Sequence, residues 1–334
     1  MSATVTARPT DGEVREALAP ALRDAGLGAI AELRRRPSSY TTSFPIDEID
    51  VTLADGAELA LVFKQLGWGA LADEARRAKP AFLHDPRREP GVYASVLASA
   101  RLGTAHLYSS ICDPDERYWL FVERVEGLEL YQVGDRALWE ATARWLAGMH
   151  RQLAPDLERH RDGGRLLDYD ARYYRSWIER AAEFARAGGA SARRQGLDRL
   201  RARYDDVVEE LLGLPTTVIH GELYASNVLV DASTPTPRVC PVDWELAAAG
   251  PGLVDLAALV SGSWSDTDRE AIASAYRTAA GEGAAGAGWR ELDLCRLHLA
   301  VQWLGWAPAD WVPPEDHRHD WFSEAMSLAE SLNV

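Results

Sequence analysis

Hydrophobic and polar residues alternate along the first third of the chain in the pattern typical of strands. Residues 38–67 are rich in Val, Ile, Thr and Phe; within them EIDVTL alternates, ADG is a turn signal, and AELALVFK resumes the strand pattern. A further strand is indicated over residues 118–130, ending near Gly127. These segments predict a small antiparallel sheet with Lys64 at the end of a strand.

Helical spacing of hydrophobic residues dominates the rest of the chain. Residues 12–35 are rich in Ala, Leu and Arg and predict a helix that Gly26 and Gly28 divide. Residues 85–102 carry hydrophobic side chains at helical spacing, with Glu89 in the first turn. Further helices are predicted from about Asp135, and then over 168–187, 192–212, 252–262, 267–280, 291–304 and 321–332.

Two strand-like segments interrupt the helical part. One is a β-branched run, TTVIHGE, and the other is a strand–turn–strand pattern, NVLVDASTPTPRVCPVDWE, which predicts a β-hairpin. The hydrophobic pattern as a whole therefore predicts an α+β fold, in which a sheet-rich first third is followed by a helical remainder that holds one hairpin.

Length and charge limit the classes of function. The chain has 334 residues, of which 47% are hydrophobic and 26% are charged, so either one large domain or two lobes would fit. The formal charge of −15 disfavours nucleic acid as a partner, because an acidic chain repels phosphate backbones. The same charge would tolerate or attract a cationic small molecule.

Cysteine usage and the apolar stretches indicate a cytoplasmic protein. Cys112, Cys240 and Cys295 are widely separated and form no CxxC pair, which favours a reducing compartment. The N-terminal residues include no uninterrupted apolar leader. The most apolar stretches, 246–260 and 297–306, are shorter than the roughly 20 residues that a membrane-spanning helix needs. We therefore expect no membrane partner, and the pattern leaves the oligomeric state open.

The motif with the most chemical content lies between His220 and Glu245. HGELYASN places Asn227 five positions after Glu222, and VDWE supplies Asp243. Asn227 and Asp243 offer hard oxygen ligands suited to Mg²⁺, and the predicted hairpin brings them together. Glu222 could accept a proton from an attacking hydroxyl. With a lysine on a distant strand, these residues form the set that kinase-type phosphoryl transfer requires.

In order and spacing, these motifs resemble the aminoglycoside phosphotransferase and choline kinase family of kinase-like small-molecule phosphotransferases. The family pattern is roughly HGD-x4-N, then DWE or a near variant, then DLA. This chain has HGE at 220–222, Asn227, DWE at 243–245 and DLA at 255–257. The resemblance extends over roughly residues 30–330, and the combined motif is more specific than any of its parts.

The resemblance implies a fold, a reaction and a role for each site residue. The fold would be bilobal and protein-kinase-like, with an N-lobe over residues 1–125 and a C-lobe over 126–334. ATP or GTP, with Mg²⁺, would donate its γ-phosphoryl group to a hydroxyl of an aminoglycoside-like, other antibiotic-like or amino-alcohol-like molecule. By this resemblance Glu222 is the catalytic base, and Asn227 and Asp243 bind Mg²⁺. Lys64 holds the phosphates, with Glu89 as its partner, and Glu123 and Val125 belong to the hinge at the adenine. His220 and Asp255 support the catalytic loop.

Two features depart from the family pattern. No glycine occurs between Gly28 and Gly56, so a Gly-rich phosphate loop is excluded, and Ser39 and Thr41 of PSSYTTS are the candidates for phosphate contacts. Glu222 replaces the usual Asp and extends its carboxylate by about 1 Å, a displacement that can cost about 100-fold in rate. The alternative function is therefore a catalytically impaired pseudokinase that binds a nucleotide or another small ligand.

Four further alternatives remain open. Glu74 is a rival to Glu89 as the partner of Lys64. A metal-dependent hydrolase that uses Asp243 and Glu245 is a weaker interpretation, because it does not explain Lys64. Candidates for amine recognition are Glu245, Asp168 and Asp170, and candidates for lining a substrate cleft are Trp303, Trp306, Trp311 and Trp321, which helical spacing otherwise assigns to the core.

Overall fold

The computed structural model describes residues 8–40, 43–113, 117–188, 191–233, 236–262, 264–281, 288–306 and 319–334, apart from the side chain of Glu74. Within these ranges the strands are β1 (Ile30–Pro37), β2 (Ile46–Leu53), β3 (Glu58–Gln65), β4 (Leu107–Cys112), β5 (Tyr118–Glu123), β6 (Leu128–Glu129), β7 (Leu167–Asp168), β8 (Thr216–Ile219), β9 (Val228–Asp231), β10 (Arg238–Pro241) and β11 (Ala248–Pro251). The helices are α1 (Asp11–Asp24), α2 (Asp73–Ala78), α3 (Arg88–Val92), α4 (Ala98–Ala100), α5 (Arg136–Leu153), α6 (Leu157–Gly164), α7 (Ala171–Gly188), α8 (Ser191–Leu212), α9 (Leu253–Leu259), α10 (Asp266–Ala280), α11 (Trp289–Trp306) and α12 (Trp321–Leu332).

Antiparallel pairing joins the first five strands into one sheet, in the order β1-β2-β3-β5-β4, and α1 covers one face of it. Helix α1 begins with a capping box: Thr10 Oγ1 accepts a hydrogen bond from the Glu13 backbone N–H, and the Glu13 carboxylate accepts one from the Thr10 N–H. Its buried residues Val14, Leu18 and Leu22 pack against the apolar side chains of this face, which are Ile30, Ile49, Val51, Leu53, Leu61, Phe63, Trp119 and Phe121.

Strand β3 directs consecutive side chains to opposite faces of the sheet. Phe63 lies in the core beneath α1, where its ring stacks on that of Phe121 at a centroid distance of 4.7 Å. The next residue, Lys64, therefore points to the other face, towards the remainder of the chain. Only 7% of Lys64 is exposed, so the sheet carries a cation into the interior of the molecule.

A helical stretch over residues 88–100 packs on that second face. It consists of α3, a π-helical turn over 93–97, and α4. It ends at Arg101, whose φ of 50° lies in the left-handed region. Val92 of this stretch belongs to the larger of the two hydrophobic cores. The packing places Glu89, in the first turn, next to β3.

The C-terminal region is mainly helical and contains most of the larger core. Helix α5 packs on α10, α7 packs on α8, and α11 packs on α7, α9 and α12. Two small sheets lie in this region, in the orders β10-β9-β6 and β7-β11-β8. In the hairpin β9–β10, Val228 pairs with Pro241. The residues that flank the pair also meet, because the Val242 N–H donates to the Asn227 carbonyl at 2.9 Å.

This architecture confirms the predicted α+β class, with an antiparallel sheet in the N-terminal region and a mainly helical C-terminal region. The hairpin and the long helices occur where the pattern predicts them, with ends that shift by a few residues. The division into lobes at residue 125 stays a prediction. Among the described helices, none combines the length and the apolar character that crossing a membrane demands.

Several segments differ from the predicted pattern. Residues 30–35 lie in β1 and not in a helix, because pairing with β2 overrides the helix preference of Ala, Leu and Arg. The strand predicted over 118–130 ends at Glu123 as β5, and β6 is a separate short strand after Gly127. Short elements without a clear period had no predicted counterpart, and these are β4, β7, β11, α2 and α6.

The packing of α1 leads to a first prediction. Leu18 is fully buried against the sheet, so Leu18→Ala should lower the free energy of unfolding by about 3 kcal/mol through lost apolar contact and a residual cavity. Glu16→Ala, on the exposed side of the same helix, should change it by less than about 0.5 kcal/mol. Urea unfolding of the two variants measures both values, and equal losses would contradict the packing described.

Candidate active site

Lys64 joins three parts of the chain at the centre of the candidate site. Its Nζ donates hydrogen bonds to Glu89 Oε1 and to Asp243 Oδ1, both at 2.8 Å, across 25 and 179 residues of sequence. Burial by itself would lower the pKa of the ammonium, but the carboxylates of Asp243 and Glu89 outweigh burial and raise the pKa above its ordinary value. Lys64 therefore stays charged between its two acidic partners.

The pKa values of the two carboxyl groups in this cluster shift in opposite directions. Burial favours the neutral acid at Asp243, but attraction to the Lys64 ammonium is stronger, and the pKa of Asp243 is lowered. At Glu89 burial dominates and raises the pKa to about 7, against the pull of Lys64. Among the described residues, Glu89 Oε2 is buried without a hydrogen-bond partner. Asp243 is thus the member that holds its negative charge.

The loop that begins at His220 is anchored by a buried carboxylate. Asp255, in the first turn of α9, is fully buried. Its Oδ2 accepts a hydrogen bond from the His220 backbone N–H at 2.7 Å, and its Oδ1 accepts one from the Gly221 N–H at 2.9 Å. His150 Nε2 lies 3.2 Å from the same Oδ2. These bonds satisfy two backbone donors that the loop would otherwise bury unpaired.

Gly221 permits the sharp turn that follows. Its φ is +85°, and a Cβ at this position would lie 2.4 Å from the Leu246 carbonyl oxygen. No L-amino acid with a side chain fits there without displacing backbone. The glycine therefore lets the loop approach the DWE turn at 243–245 closely.

His220 supports the loop from the other side. Its Nε2 lies 2.9 Å from the Val242 carbonyl, and its Nδ1 accepts from the Glu222 backbone N–H at 3.3 Å. This pattern requires the neutral tautomer with hydrogen on Nε2. Burial lowers the pKa of the imidazole, which agrees with a neutral ring. The ring also packs on Trp244 at a centroid distance of 4.6 Å.

Asn227 and Asp243 present oxygen atoms suited to a hard cation. Asn227 Nδ2 donates to the Glu222 carbonyl at 2.9 Å, which leaves its amide oxygen for another partner. Asp243 adopts a left-handed φ of 68°, and 34% of its side chain is exposed. No group of three or more His, Cys, Asp or Glu side chains is arranged to hold a metal within the described ranges. One carboxylate and one amide oxygen fit Mg²⁺ that also binds phosphate oxygens.

Glu222 lies in an acidic environment. Burial raises the pKa of this carboxyl group to about 8, and the nearby carboxylates of Glu245 and Asp243 contribute, while Lys79 acts in the opposite direction. The group therefore favours its protonated form near pH 7. A carboxyl group with a raised pKa is typical of functional sites.

A second buried lysine, which the sequence analysis did not single out, also contacts the DWE turn. Lys79 Nζ donates a short hydrogen bond to Glu245 Oε2. Arg88 Nη1 donates to the Glu245 carbonyl oxygen at 2.8 Å. Lys79 lies between β3 and α3, and Arg88 is the first residue of α3, so this part of the chain contacts the turn at two points. Lys79 follows α2, outside any segment with a helical or strand pattern of hydrophobic residues. Only its residue type could have indicated a role in the site.

The structure places the remaining candidates as follows. Glu89 is the partner of Lys64, and the side chain of its rival Glu74 lies outside the described residues. Ser39 is exposed between β1 and β2, whereas Thr41 and Trp311 lie outside the described residues. Glu123, the last residue of β5, binds Arg238 through its carboxylate at 2.6 Å, and Val125 lies two residues after it.

The candidates for amine recognition and for the substrate cleft have other partners. Asp168 pairs with Arg161, and Asp170 accepts a hydrogen bond from the Tyr173 backbone N–H. Three candidate tryptophans are partly buried against the larger core: Trp303, Trp306 and Trp321.

Comparison with protein families gives one match. The model of the phosphotransferase enzyme family matches residues 53–295, more than two thirds of the chain. The matched range includes Lys64, Glu89 and the whole stretch from His220 to Asp255. Comparison with curated protein sequences gives no significant match.

Comparison with solved structures gives kinase-like neighbours. One is the GDP complex of aminoglycoside 2'-phosphotransferase-IIIa, with a TM-score of 0.58 and 12% identity over 97% of this chain and 98% of that one. Another is a microcompartment-associated aminopropanol kinase (TM-score 0.59, 16% identity, 94% of both chains). A third is choline kinase from Cryptosporidium parvum Iowa II (TM-score 0.59, 12% identity, 90% of both chains). At these identities the likeness concerns the fold, and it confirms the predicted kinase-like class.

The approach of Gly221 to Leu246 predicts an unusual cost for a small substitution. Gly221→Ala should lower the free energy of unfolding by about 3 kcal/mol or more, because the methyl group collides with backbone. Gly56 has a similar φ of +88° but open space around it, so Gly56→Ala should cost only about 1 kcal/mol. Denaturant unfolding measures both, and equal costs would refute the close approach.

The raised pKa of Glu222 predicts a pH-dependent penalty. In the unfolded chain this carboxyl group titrates near 4.5, whereas in the folded protein it keeps its proton to about pH 8. Between these pH values the folded state binds more protons than the unfolded state. The free energy of unfolding therefore falls as pH rises through this window, and the loss is complete above it. Glu222→Gln should therefore raise Tm at pH 8.5 and change it little near pH 4.5.

Thermal unfolding across this pH range measures the effect, with Glu270→Gln on the exposed side of α10 as the control. A Tm difference for Glu222→Gln that does not grow with pH would contradict the burial of this carboxyl group beside Glu245 and Asp243.

Proposed function

The chain belongs to the phosphotransferase enzyme family, and from this premise we propose that it transfers the γ-phosphoryl group of ATP or GTP to a hydroxyl of a small molecule. The observation that supports this most strongly is the Lys64 cluster. A buried ammonium joins the sheet, the helix that starts at Arg88 and the DWE turn. No structural need accounts for a lysine buried between two carboxylates, since apolar residues of similar volume would often be as stable.

The nucleotide would lie between the five-stranded sheet and the loop that carries Glu222 and Asn227. Lys64 would bind the α- and β-phosphates, as a point charge with three donors can. Ser39 and Thr41 would contact phosphate from the β1–β2 connection. The base would meet the backbone at Glu123 and Val125, with the division between the lobes at residue 125.

Asn227 and Asp243 would hold Mg²⁺ through their amide and carboxylate oxygens. Bound there, the ion would neutralise charge on the phosphates during transfer. Hydrogen bonds within the chain position the groups of the site. Asp255 and His220 hold the loop in place, and Lys64 fixes the position of Asp243. Such fixed groups act without reorganising at the moment of reaction.

Glu222 would orient the acceptor hydroxyl and take its proton. The acceptor oxygen forms a bond to the γ-phosphorus, the bond from that phosphorus to the β,γ-bridging oxygen breaks, and the nucleoside diphosphate leaves with the electron pair. The hydroxyl proton passes to the Glu222 carboxylate, which bound Mg²⁺ and a cationic acceptor would hold in its ionised form. Because this transition state is loose, positioning and charge contribute more than the base does, so a glutamate can serve here.

The acceptor is proposed to be cationic. The site holds the carboxyl groups of Glu222, Asp243, Glu245 and Glu89 and the ammonium groups of Lys64 and Lys79, and the whole chain carries a charge of −15. The similar solved structures include enzymes named for aminoglycosides, aminopropanol and choline. An aminoglycoside-like, other antibiotic-like or amino-alcohol-like acceptor fits this acidic environment.

The central test is transfer to a panel of amino sugars, amino alcohols and nucleosides, with Mg²⁺ and ATP or GTP, followed by mass spectrometry of the products. We expect one class of phosphorylated product. Asp243→Asn should reduce its formation by about 1,000-fold, because it removes both the metal's carboxylate and the partner of Lys64. Nucleotide binding without product from any acceptor would instead favour the pseudokinase alternative, for which the replacement of Asp by Glu222 is the argument.

The length of the Glu222 side chain predicts a further result. Glu222→Asp should lower kcat by about 10- to 100-fold, because it withdraws the carboxylate by about 1 Å from an acceptor positioned for glutamate. KM for the nucleotide should change less than threefold, since Glu222 does not touch it. Steady-state kinetics with the best acceptor measure both constants. A gain in kcat would show that the glutamate impairs the site.

A further inference from the structure

The distribution of lysine in this chain is uneven. Of its 36 basic Lys and Arg residues, 34 are arginine, and the two lysines are Lys64 and Lys79. Both are buried, with 7% and 5% of their surface exposed. Each donates to a carboxylate of the DWE turn, Lys64 to Asp243 and Lys79 to Glu245. The chain thus uses arginine everywhere except at two points of one site.

The choice of lysine has a physical meaning at these points. An ammonium is a compact charge whose three donors can turn towards different oxygen atoms, whereas a guanidinium is a planar fork that prefers one bidentate partner. A compact cation can leave a carboxylate and reach a neighbouring anion by rotation of its flexible stem. A lysine therefore suits a position where the partner changes.

Lys79 lies between the two sides of the proposed phosphate site. Its ammonium sits over the Phe44 ring, 5.4 Å from the centroid, close to the end of the β1–β2 connection. The segment that carries it is tied to that connection, since the Ala72 N–H donates to the Ser43 carbonyl at 2.9 Å. On the other side, Lys79 contacts Glu245.

The charge of Lys79 also reaches the two acids that the proposed reaction uses. Its ammonium contacts the carboxylate of Glu245, two residues after Asp243 in the DWE turn, and its charge opposes the rise in the pKa of Glu222 and helps to lower the pKa of Asp243. A γ-phosphoryl group in transfer must lie between the metal ligand Asp243 and the base Glu222. Lys79 is therefore a second cation, beside Lys64, on the turn that carries the proposed metal ligand Asp243.

We propose that Lys79 is a catalytic residue that leaves Glu245 and binds the equatorial oxygens of the γ-phosphoryl group in the transition state. This inference rests on the proposed function. Lys79 remains an ammonium throughout and exchanges no proton. Glu245 holds it in place before transfer, and Lys64 stays on the α- and β-phosphates. The chain would thus provide from its own segment 66–88 the kind of charge that other phosphotransferases receive from an added arginine.

The test compares a ground-state and a transition-state mimic. Titration calorimetry measures the affinity for ADP with Mg²⁺, and then for ADP with Mg²⁺ and aluminium fluoride, which imitates the phosphoryl group in transfer. In Lys79→Met the affinity for the fluoride complex should fall about 100-fold, and that for ADP should change less than threefold. Lys79→Arg should recover part of the loss. The matched control is Arg77→Met, at an exposed position two residues away, which should change neither affinity.

A folding safeguard is needed because Lys79→Met leaves Glu245 without its cation. The double variant Lys79→Met/Glu245→Gln removes that unpaired carboxylate, and it should show the same selective loss with a Tm close to that of the wild type. Kinetics give a second measure: kcat should fall about 100-fold in both variants, with KM for the nucleotide nearly constant.

Two outcomes would overturn the role of Lys79 alone. One is an unchanged affinity of Lys79→Met for the fluoride complex. The other is an equal loss of ADP and of the fluoride complex in both Lys79 variants, which would make Lys79 a structural residue. Failure of the wild type to bind any nucleotide is a different result, visible before any substitution, and it would overturn the proposed function together with this inference.

Discussion

The hydrogen bonds of one buried ammonium determine how the rest of the site is arranged. Lys64 reaches Glu89 and Asp243 from a strand of the N-terminal sheet, and so fixes a helix and a distant turn relative to that strand. Its charge cannot be left unpaired in the interior, because the cost of burying a lone ammonium is several kcal/mol. Sheet, helix and hairpin must therefore come together in this one arrangement, which also places Asn227 next to the cluster.

A second constraint concerns the loop between His220 and Asn227. It is held by Asp255 from below and by the neutral ring of His220 from the side, and Gly221 lets it approach Leu246. Burial, together with the acids around the loop, raises the pKa of Glu222, so the ionised form of this group costs stability. Such a cost is typical of a functional site. A bound metal, the phosphates and a cationic acceptor would together balance the charges.

The sequence predicts those parts of the fold in which local pattern and tertiary contacts agree. The alternation of β2 and β3 and the motif from His220 to Asp243 are sufficient to place Lys64 on a strand and the hairpin behind the loop. The prediction is wrong for residues 30–35, because their composition favours a helix, whereas pairing with β2 makes them a strand. Only the family resemblance favoured Glu89 over its rival Glu74 as the partner of Lys64, since both lie in helical segments near that lysine. Lys79 sits after the short helix α2, where no period exists.

The most direct measurement is a crystal structure of the protein with Mg²⁺ and a non-hydrolysable ATP analogue. We predict density for the nucleotide between the five-stranded sheet and the loop at 220–227. Lys64 Nζ should lie within hydrogen-bond distance of α- or β-phosphate oxygens, and Mg²⁺ should bind the oxygens of Asn227 and Asp243. A nucleotide bound elsewhere, or a metal bound without Asp243, would contradict the account.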